Sequence, residues 1–522
     1  MEQDEAETRW SNKEDYLGQT NVTQTAIDIL RQLRQQGAKI DGISADSRGL
    51  SAGDVFVAYP GASADGRRHI ADAIARGAAA VLWEREGYSW REDWDLPNLA
   101  VDGLRGLAGE LAHEVYGHPS EKLWLAGVTG TNGKTSCSQW IAQAFNALGR
   151  KTGVIGTLGS GFPGELAPSA NTTPDAIVLQ RELASFLKAG AQGVAMEVSS
   201  IGLDQGRING AQFDVALLTN FTRDHLDYHG DMERYAQAKA SLFDAPGLSG
   251  AVLNMDDVLG VRIARKLAGS KVACAGYSAH SGVASAAGLA FFLEAENVRL
   301  TEPGLAFDLV SSWGRAEVRS GLLGRFNVAN LLGVLGVLLG AGVALPQAVA
   351  ALATLAPPPG RMQRLGGAGK PLAVVDYAHS PDALGEALVG LRTLTDASKG
   401  RLICVFGCGG DRDRGKRALM GAIAARNADR VLLTSDNPRS EDPLEIITDI
   451  LEGVLGEAQA ESEPLVIADR REAINAAIAG AAAGDVVLIA GKGHEDYQES
   501  AGRRIPFSDA AIAAEALALW TQ

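Results

Sequence analysis

Cysteine is scarce, with four in 522 residues: Cys137, Cys274, Cys404 and Cys408. Only the last two lie close together. Neither a disulfide framework nor a thiolate metal site is expected, and the thiols read as the reduced thiols of a cytoplasmic protein. Positive charge is also short, 48 Lys and Arg against 63 Asp and Glu, for a net charge of −15. That balance argues against nucleic-acid binding on a broad basic face, while a local basic pocket for phosphate stays open. The opening MEQDEAETRW is acidic and has neither the basic nor the apolar part of a secretory signal. No apolar run is long enough to cross a bilayer. The longest apolar region, 330–355, is interrupted by Gly333, Gly336, Gly340, Gly342 and Pro346, which predicts a buried helix, a turn and a second helix. The expectation is a cytoplasmic monomer with neither a nucleic-acid partner nor a membrane insertion.

What is present suits a globular enzyme: 46% hydrophobic and 21% charged residues. The length suggests about three domains. After a flexible leader over 1–20, short buried strands at 54–59 and 78–83 flank a helix at 70–76, forming a small α/β unit that ends near Lys122. From Leu123, apolar runs end in polar residues at VAMEV, VALLTN and AVLN, as parallel strands covered on both faces do. Segment 289–319 alternates like strands, and Pro357-Pro358-Pro359-Gly360 marks a stiff boundary. Beyond it LAVVDY, RLICVFG, RVLLTSD and DVVLIAG predict four more buried strands. The fold class read from this is α/β in three domains: a small α/β domain over 1–122, a P-loop-type, doubly wound, mainly parallel sheet over 123–358, and a Rossmann-like α/β domain over 359–522.

The most informative stretch is GVTGTNGKTS, 127–136, directly after the run Leu123-Trp124-Leu125-Ala126. A strand ending in such a turn aims backbone N–H groups at one point; Lys134 can neutralise phosphate charge and Thr135 can hold Mg²⁺. Val128 stands where the full pattern has its first glycine. Glu197, at a strand end in MEVSS, is placed for a Mg²⁺-binding carboxylate. TNFTRDHLDYHG, 219–230, gathers Asp224, His225, Asp227 and His229, types that bind metal or orient phosphate. GCGGDRDRGKRALM offers Arg412, Arg414, Lys416 and Arg417 on a strand-to-helix turn, suited to carboxylate or phosphate. DNPRSEDP supplies Asp436, Asn437, Pro438 and Arg439, and GKGHEDYQ supplies Gly491 and Glu495. Arginine for a carboxylate and glutamate for an amine together describe an amino-acid site. Asn12-Lys13-Glu14-Asp15 matches a guanine-reading pattern, but it precedes the glycine-rich loop instead of following it, and reads as chance.

Taken in order and spacing, GTNGKTS, NTTPD, EVSS, TNFTRDHLDYHG, GRFNVANLLG, DYAHSPDAL, GCGGDRDRGKR, DNPRSEDP and GKGHEDYQ resemble the Mur ligase family over about 46–508. The resemblance implies an ATP-dependent acid–amino-acid ligase of peptidoglycan precursor synthesis. In it the D-glutamyl carboxylate of UDP-N-acetylmuramoyl-L-alanyl-D-glutamate becomes an acyl phosphate, which meso-2,6-diaminopimelate then attacks. It further implies ATP binding by Gly130, Thr131, Asn132, Gly133, Lys134, Thr135 and Ser136. Asn327 or Asn330 would lie by the adenine, and Arg361, Asp376 and His379 by ribose and phosphates. Thr135, Glu197 and His225 would hold Mg²⁺, and Lys239 would carry a carbamate. Ser47 would touch the uridine nucleotide, and Asn171, Thr172, Thr173, Ser199, Gln205 and Arg207 the muramoyl-dipeptide. Arg412, Asp436, Asn437, Pro438, Arg439, Gly491 and Glu495 would hold diaminopimelate, whose second carboxylate lysine lacks. The departures are Ile201, where the family often has histidine, and Ala62-Ser63 near the expected uridine pocket. Other ligases of the superfamily, such as folylpolyglutamate synthases, are the nearest rival reading.

Overall fold

A computed structural model describes residues 25–61, 64–301, 304–457 and 463–521. The leader, Asn12 to Asp15, and Ala62-Ser63 lie outside the described residues. Three sheets follow one another along the chain. The first has four parallel strands, in the order Gly42–Ser44, Asp54–Ala58, Ala80–Glu84 and Asn98–Val101. The second has eleven strands and the third six. A two-stranded hairpin, Tyr497–Ser500 with Arg503–Pro506, stands apart.

The second sheet is parallel through its middle and antiparallel at both edges. Trp124–Thr129 lies between Gly193–Glu197 and Val215–Leu218, parallel to both. Outward on one side comes Thr152–Gly156 with its short hairpin, and on the other Gly250–Asn254, Ala273–Ser278 and Phe291–Thr301. The segment expected to alternate, 289–319, forms Phe291–Thr301, Gly304–Ser311 and Gly314–Ser320, an antiparallel meander. The interrupted apolar region becomes the helices Phe326–Gly340 and Leu345–Leu352. The first of these is apolar on every side and therefore buried on every side. Its glycines permit that: a β-carbon on Gly336 would come within 2.8 Å of Val252, and one on Gly333 within 3.0 Å of Leu217.

The third sheet runs Gln363–Gly366, Leu372–Asp376, Val486–Ala490, Leu402–Phe406, Arg430–Leu433 and Leu465–Val466, antiparallel only at its first pair. All four apolar runs expected beyond the proline boundary are strands here. In both larger sheets a strand made later is inserted beside an earlier one, so the chain leaves neighbouring strands in opposite directions. Such switch points open a crevice at the strand carboxyl ends. The chemically loaded segments lie there.

Candidate active site

The glycine-rich loop leaves Trp124–Thr129 and enters the helix Lys134–Ala147, which has no side-chain N-cap. Its first-turn N–H groups are thus available to an anion. Gly130 and Gly133 hold φ of +147° and +84°, and a β-carbon on Gly130 would collide with the Thr219 hydroxyl. The loop is braced by the next strand's end: Asn132 N–H donates to Asn220 Oδ1 at 2.8 Å, and Thr219 Oγ1 donates to the Asn132 carbonyl at 2.6 Å. Thr131 Oγ1 lies 3.0 Å from the Thr222 carbonyl and 3.1 Å from the Tyr235 hydroxyl.

Two lysines converge on this loop. Lys134 Nζ donates to the Gly130 and Thr131 carbonyls at 2.9 and 2.8 Å. Lys239, 1% exposed on the helix Met232–Ala240, donates to the same Gly130 carbonyl at 2.7 Å and lies over the Tyr235 ring. Burial, reinforced by Lys134, holds the Lys239 amine well below the ordinary lysine range. Lys134 is also lowered by desolvation, against the pull of Glu197 and Asp224.

Glu197, 1% exposed, accepts from Thr135 Oγ1 at 2.9 Å and from the Thr157 hydroxyl and N–H at 3.1 and 2.8 Å. Thr135 and Glu197 together form a hard, oxygen-only donor set of the kind Mg²⁺ takes. His225, in the left-handed region at φ +52°, faces Asp224 at 3.5 Å. Desolvation and the two lysines keep its imidazole below the usual range, against Asp224. The wider acidic turn does not gather as a metal cluster. His229 is buried with its ring on Ser200 Oγ at 3.0 Å, and Tyr228 donates to Asp204 at 2.7 Å.

The expected dipeptide residues form a connected patch. Thr173 Oγ1 donates to the Glu197 carbonyl at 3.0 Å and accepts from Ser199 N–H at 3.0 Å; Arg207 donates to the Thr173 carbonyl at 2.8 Å and to Gln205 Oε1 at 2.7 Å. The Thr172 hydroxyl lies 3.0 Å from that of Thr157, and Asn171 is exposed. Ser47 is buried and lines a separate cavity of about 950 Å³ in the first unit, with Asp46, Arg48, Tyr59 and His69.

A cleft of about 310 Å³ joins the second and third units and is lined by Asn132, Gly133, Ser136, Asn327, Asn330, Arg361, Asp376 and His379. Arg361 reaches across it to Thr135 Oγ1 at 3.1 Å and lies over the Tyr377 ring, with its Nε buried and unpartnered. Asp376 accepts from the Met362 and Ala378 N–H groups at 2.7 and 2.9 Å. His379 Nδ1 meets the Tyr377 carbonyl at 2.8 Å, and burial lowers its pKa to about 4, so the ring is neutral with Nδ1 the donor. Asn330 donates to Asn327 Oδ1 at 2.9 Å.

Tyr377 and His379 also line a second cavity of about 570 Å³, shared with His225, Arg412, Lys416, Asp436, Asn437, Arg439, Gly491 and Glu495. Ile201 lines it too. The structure thus brings the expected amino-acid residues together, but Glu495 is not a free carboxylate. It accepts from Asn437 Nδ2 at 2.7 Å and from Lys492 Nζ at 3.0 Å. Lys492, fully buried, also donates to Asn437 Oδ1 at 3.0 Å and lies 3.8 Å from Asp436. Sequence reasoning missed Lys492, since a lysine between two glycines reads as loop. Arg439, at φ +54°, donates to the Gly410 carbonyl at 2.8 Å; Arg412 is exposed, and Pro438 is buried. Two of the four cations of GCGGDRDRGKR serve the fold instead. Arg417, 1% exposed, pairs with Glu441 and Asp449 at 2.9 Å each, and Arg414 pairs with Glu441 at 2.7 Å.

The chain matches the Mur ligase middle domain over 128–338, the Mur ligase glutamate ligase domain over 360–493, and the Mur ligase family catalytic domain over 39–116. A relative named UDP-N-acetylmuramoyl-L-alanyl-D-glutamate–2,6-diaminopimelate ligase from Nitrosomonas europaea is 50% identical, with 93% of this chain and 94% of that protein covered. Its namesake from Pseudomonas aeruginosa is 51% identical over 94% and 98%. A solved structure of a protein of that name is 38% identical with a TM-score of 0.67, covering 92% of this chain and 95% of that one. With successive family domains along its length and relatives matched nearly end to end, the chain belongs to the Mur ligase family.

Proposed function

We propose that this protein joins meso-2,6-diaminopimelate to UDP-N-acetylmuramoyl-L-alanyl-D-glutamate with consumption of ATP, in cytoplasmic peptidoglycan precursor synthesis. The observation that carries this reading is that two cavities share a wall of Tyr377, His379 and Asp382. Asn132, Gly133 and Ser136 of the glycine-rich loop line one cavity, and Asn437 and Glu495, held by the buried Lys492, line the other.

A carboxylate is a poor electrophile until phosphorylation supplies a leaving group, and phosphoryl transfer depends on positioning and charge neutralisation. The D-glutamyl carboxylate oxygen takes the γ-phosphoryl group and ADP leaves. The amino nitrogen of diaminopimelate then attacks the acyl carbon, phosphate leaves, and the ammonium proton is lost. In this reading Lys134 exchanges its two loop carbonyls for the β- and γ-phosphates, and Arg361 is the cation of the opposite wall. Thr135 and Glu197, with His225, would hold Mg²⁺, which supplies charge neutralisation at the phosphates. Thr173, Ser199, Gln205 and Arg207 hold the dipeptide end, and the Ser47 cavity takes the uridine nucleotide.

Lys239 is read as the carbamylated lysine. Burial favours its neutral amine, the form whose nitrogen adds to CO₂, giving a carbamate and one proton. Modification places −1 beside Lys134, so an ammonium at Lys239 would be exchanged for a charge that attracts its neighbour. Arg439, with Asn437, faces the carboxylate that lysine lacks. A site left with an unpaired arginine rejects the shorter amine. Phosphate release measured with the UDP-dipeptide and ATP should depend strongly on meso-diaminopimelate; equal turnover with L-lysine, or release independent of the UDP-dipeptide, overturns the assignment.

A further inference from the structure

The joint between the first and second sheets carries a cluster that the ligase reaction does not use. His113 lies on the helix Leu104–Val115, His118 in a left-handed turn at φ +61°, and Glu121 on the short helix Pro119–Lys122. Their ligating atoms lie within 4.8 Å of one another, and among the described residues no other three His, Cys, Asp or Glu side chains do this. His113 Nε2 is 3.2 Å from Glu121 Oε1, and His118 Nδ1 is 3.4 Å from the same oxygen. An ion with tetrahedral bonds of about 2.0–2.1 Å to nitrogen and oxygen separates its ligands by about 3.3 Å.

The surroundings carry the second mark of such a site. His113 Nδ1 meets Oε1 of the fully buried Gln180 at 3.2 Å, which leaves Nε2 to face the cluster. Metal-bound imidazoles are oriented through their other nitrogen in this manner. Gln180 Nε2 has no hydrogen-bond partner, so its amide is committed through the carbonyl side alone. Gln212 Nε2 donates to Glu121 Oε1 at 3.0 Å. The His118 and Glu121 side chains are 39% and 43% exposed, so an entry path and a position for water exist.

We propose that His113, His118 and Glu121 bind a divalent ion of the zinc class. Two imidazoles and one carboxylate suit zinc, cobalt or nickel better than the all-oxygen ions Mg²⁺ and Ca²⁺. The ion would fix the helix Leu104–Val115 to the short helix Pro119–Lys122, at the place where Gln180 of the helix Ala176–Lys188 and Gln212, ahead of Val215–Leu218, hydrogen-bond its ligands.

The test uses the full chain, stripped with a chelator and titrated calorimetrically with zinc chloride, then with cobalt chloride under visible absorption. The expected result is one zinc per chain, a cobalt spectrum of four-coordinate intensity, and a zinc-dependent rise in Tm. His118→Gln and Glu121→Gln, which alter exposed side chains, should abolish all three signals while ligase turnover with Mg²⁺ is retained. His225→Gln controls for zinc captured in the nucleotide cleft and should leave the signals unchanged. Absence of stoichiometric binding, or binding that survives His118→Gln and Glu121→Gln, overturns the proposal. So does binding lost in His225→Gln alone.

Discussion

At the residue scale, one carbonyl oxygen serves two lysines, Lys134 and Lys239. Two ammonium groups on one acceptor repel, and burial adds to that by disfavouring charge on each. Lys239→Ala should lose nearly all turnover, and added short carboxylates should restore part of it; full activity without rescue would exclude a carbamate at this position. Lys492 is the second residue whose charge has a definite task, since it holds both the amide of Asn437 and the carboxylate of Glu495. Removing it leaves Glu495 without its buried cation and Asp436 with Arg470 alone. Lys492→Met should lower kcat/KM for diaminopimelate by roughly 30-fold, about 2 kcal/mol, with KM for ATP little changed. Steady-state kinetics with each substrate varied separately would check the split. Both lysines mark the limit of what is legible in the sequence. Lys134 is readable because its glycines are local, whereas the burial of Lys239 and Lys492 is created by partners far along the chain. Arg414 and Arg417 show the converse: their cations look available until Glu441 and Asp449 are folded beside them.

At the element scale, the buried parallel strands were legible because both faces are covered, so VAMEV and RLICVFG read as apolar runs without alternation. Gly42–Ser44 and Leu465–Val466 were not, being too short for periodicity to register. The glycine-rich hairpin Gly159–Phe162 with Glu165–Ala167 was missed for a related reason: its pairing is set by backbone and not by an apolar face. In the third unit, the helix Arg470–Ala479 is fastened to Asp509–Leu519 by a fully buried ion pair, Arg470 to Asp509 at 2.8 and 2.7 Å. Arg470 also donates to the Ala490 carbonyl at 2.9 Å, at the end of the strand leading to Gly491. Asp509→Ala strands a buried guanidinium and should destabilise the protein by about 3–5 kcal/mol. Urea unfolding would measure it, and the double change Arg470→Leu with Asp509→Leu should recover only part, because the Ala490 carbonyl stays unpaired.

At the scale of the whole molecule, the third unit carries a built-in sensitivity to acid. Burial lowers His379 and His494 to about 4, and His494 Nδ1 has no hydrogen-bond partner. In the unfolded chain these imidazoles titrate near 6.5. Between those values the unfolded chain binds more protons than the folded one, so stability falls as pH drops from about 6.5 toward about 4. His494→Gln should flatten that decline, read as the urea midpoint at pH 7 and at pH 5; an unchanged slope would assign the acid sensitivity to other groups. The three-domain α/β organisation was legible as a succession of strand and helix signals, but the meeting of Arg361 with Thr135 across the cleft was not. The resemblance put both residues at one nucleotide, but nothing local to either announces a direct hydrogen bond between them.

The order of strands in the third sheet also sets a timetable for biosynthesis. Leu372–Asp376 and Leu402–Phe406 both pair with Val486–Ala490, which the ribosome delivers after both. Until it arrives, two apolar strand edges stand open toward each other, and open edges are templates for aggregation. A nascent chain stalled or cut short before Val486 would present a finished ATP-loop unit joined to an adhesive half-sheet, so premature termination between Phe406 and Val486 should yield insoluble protein and not a weakened ligase.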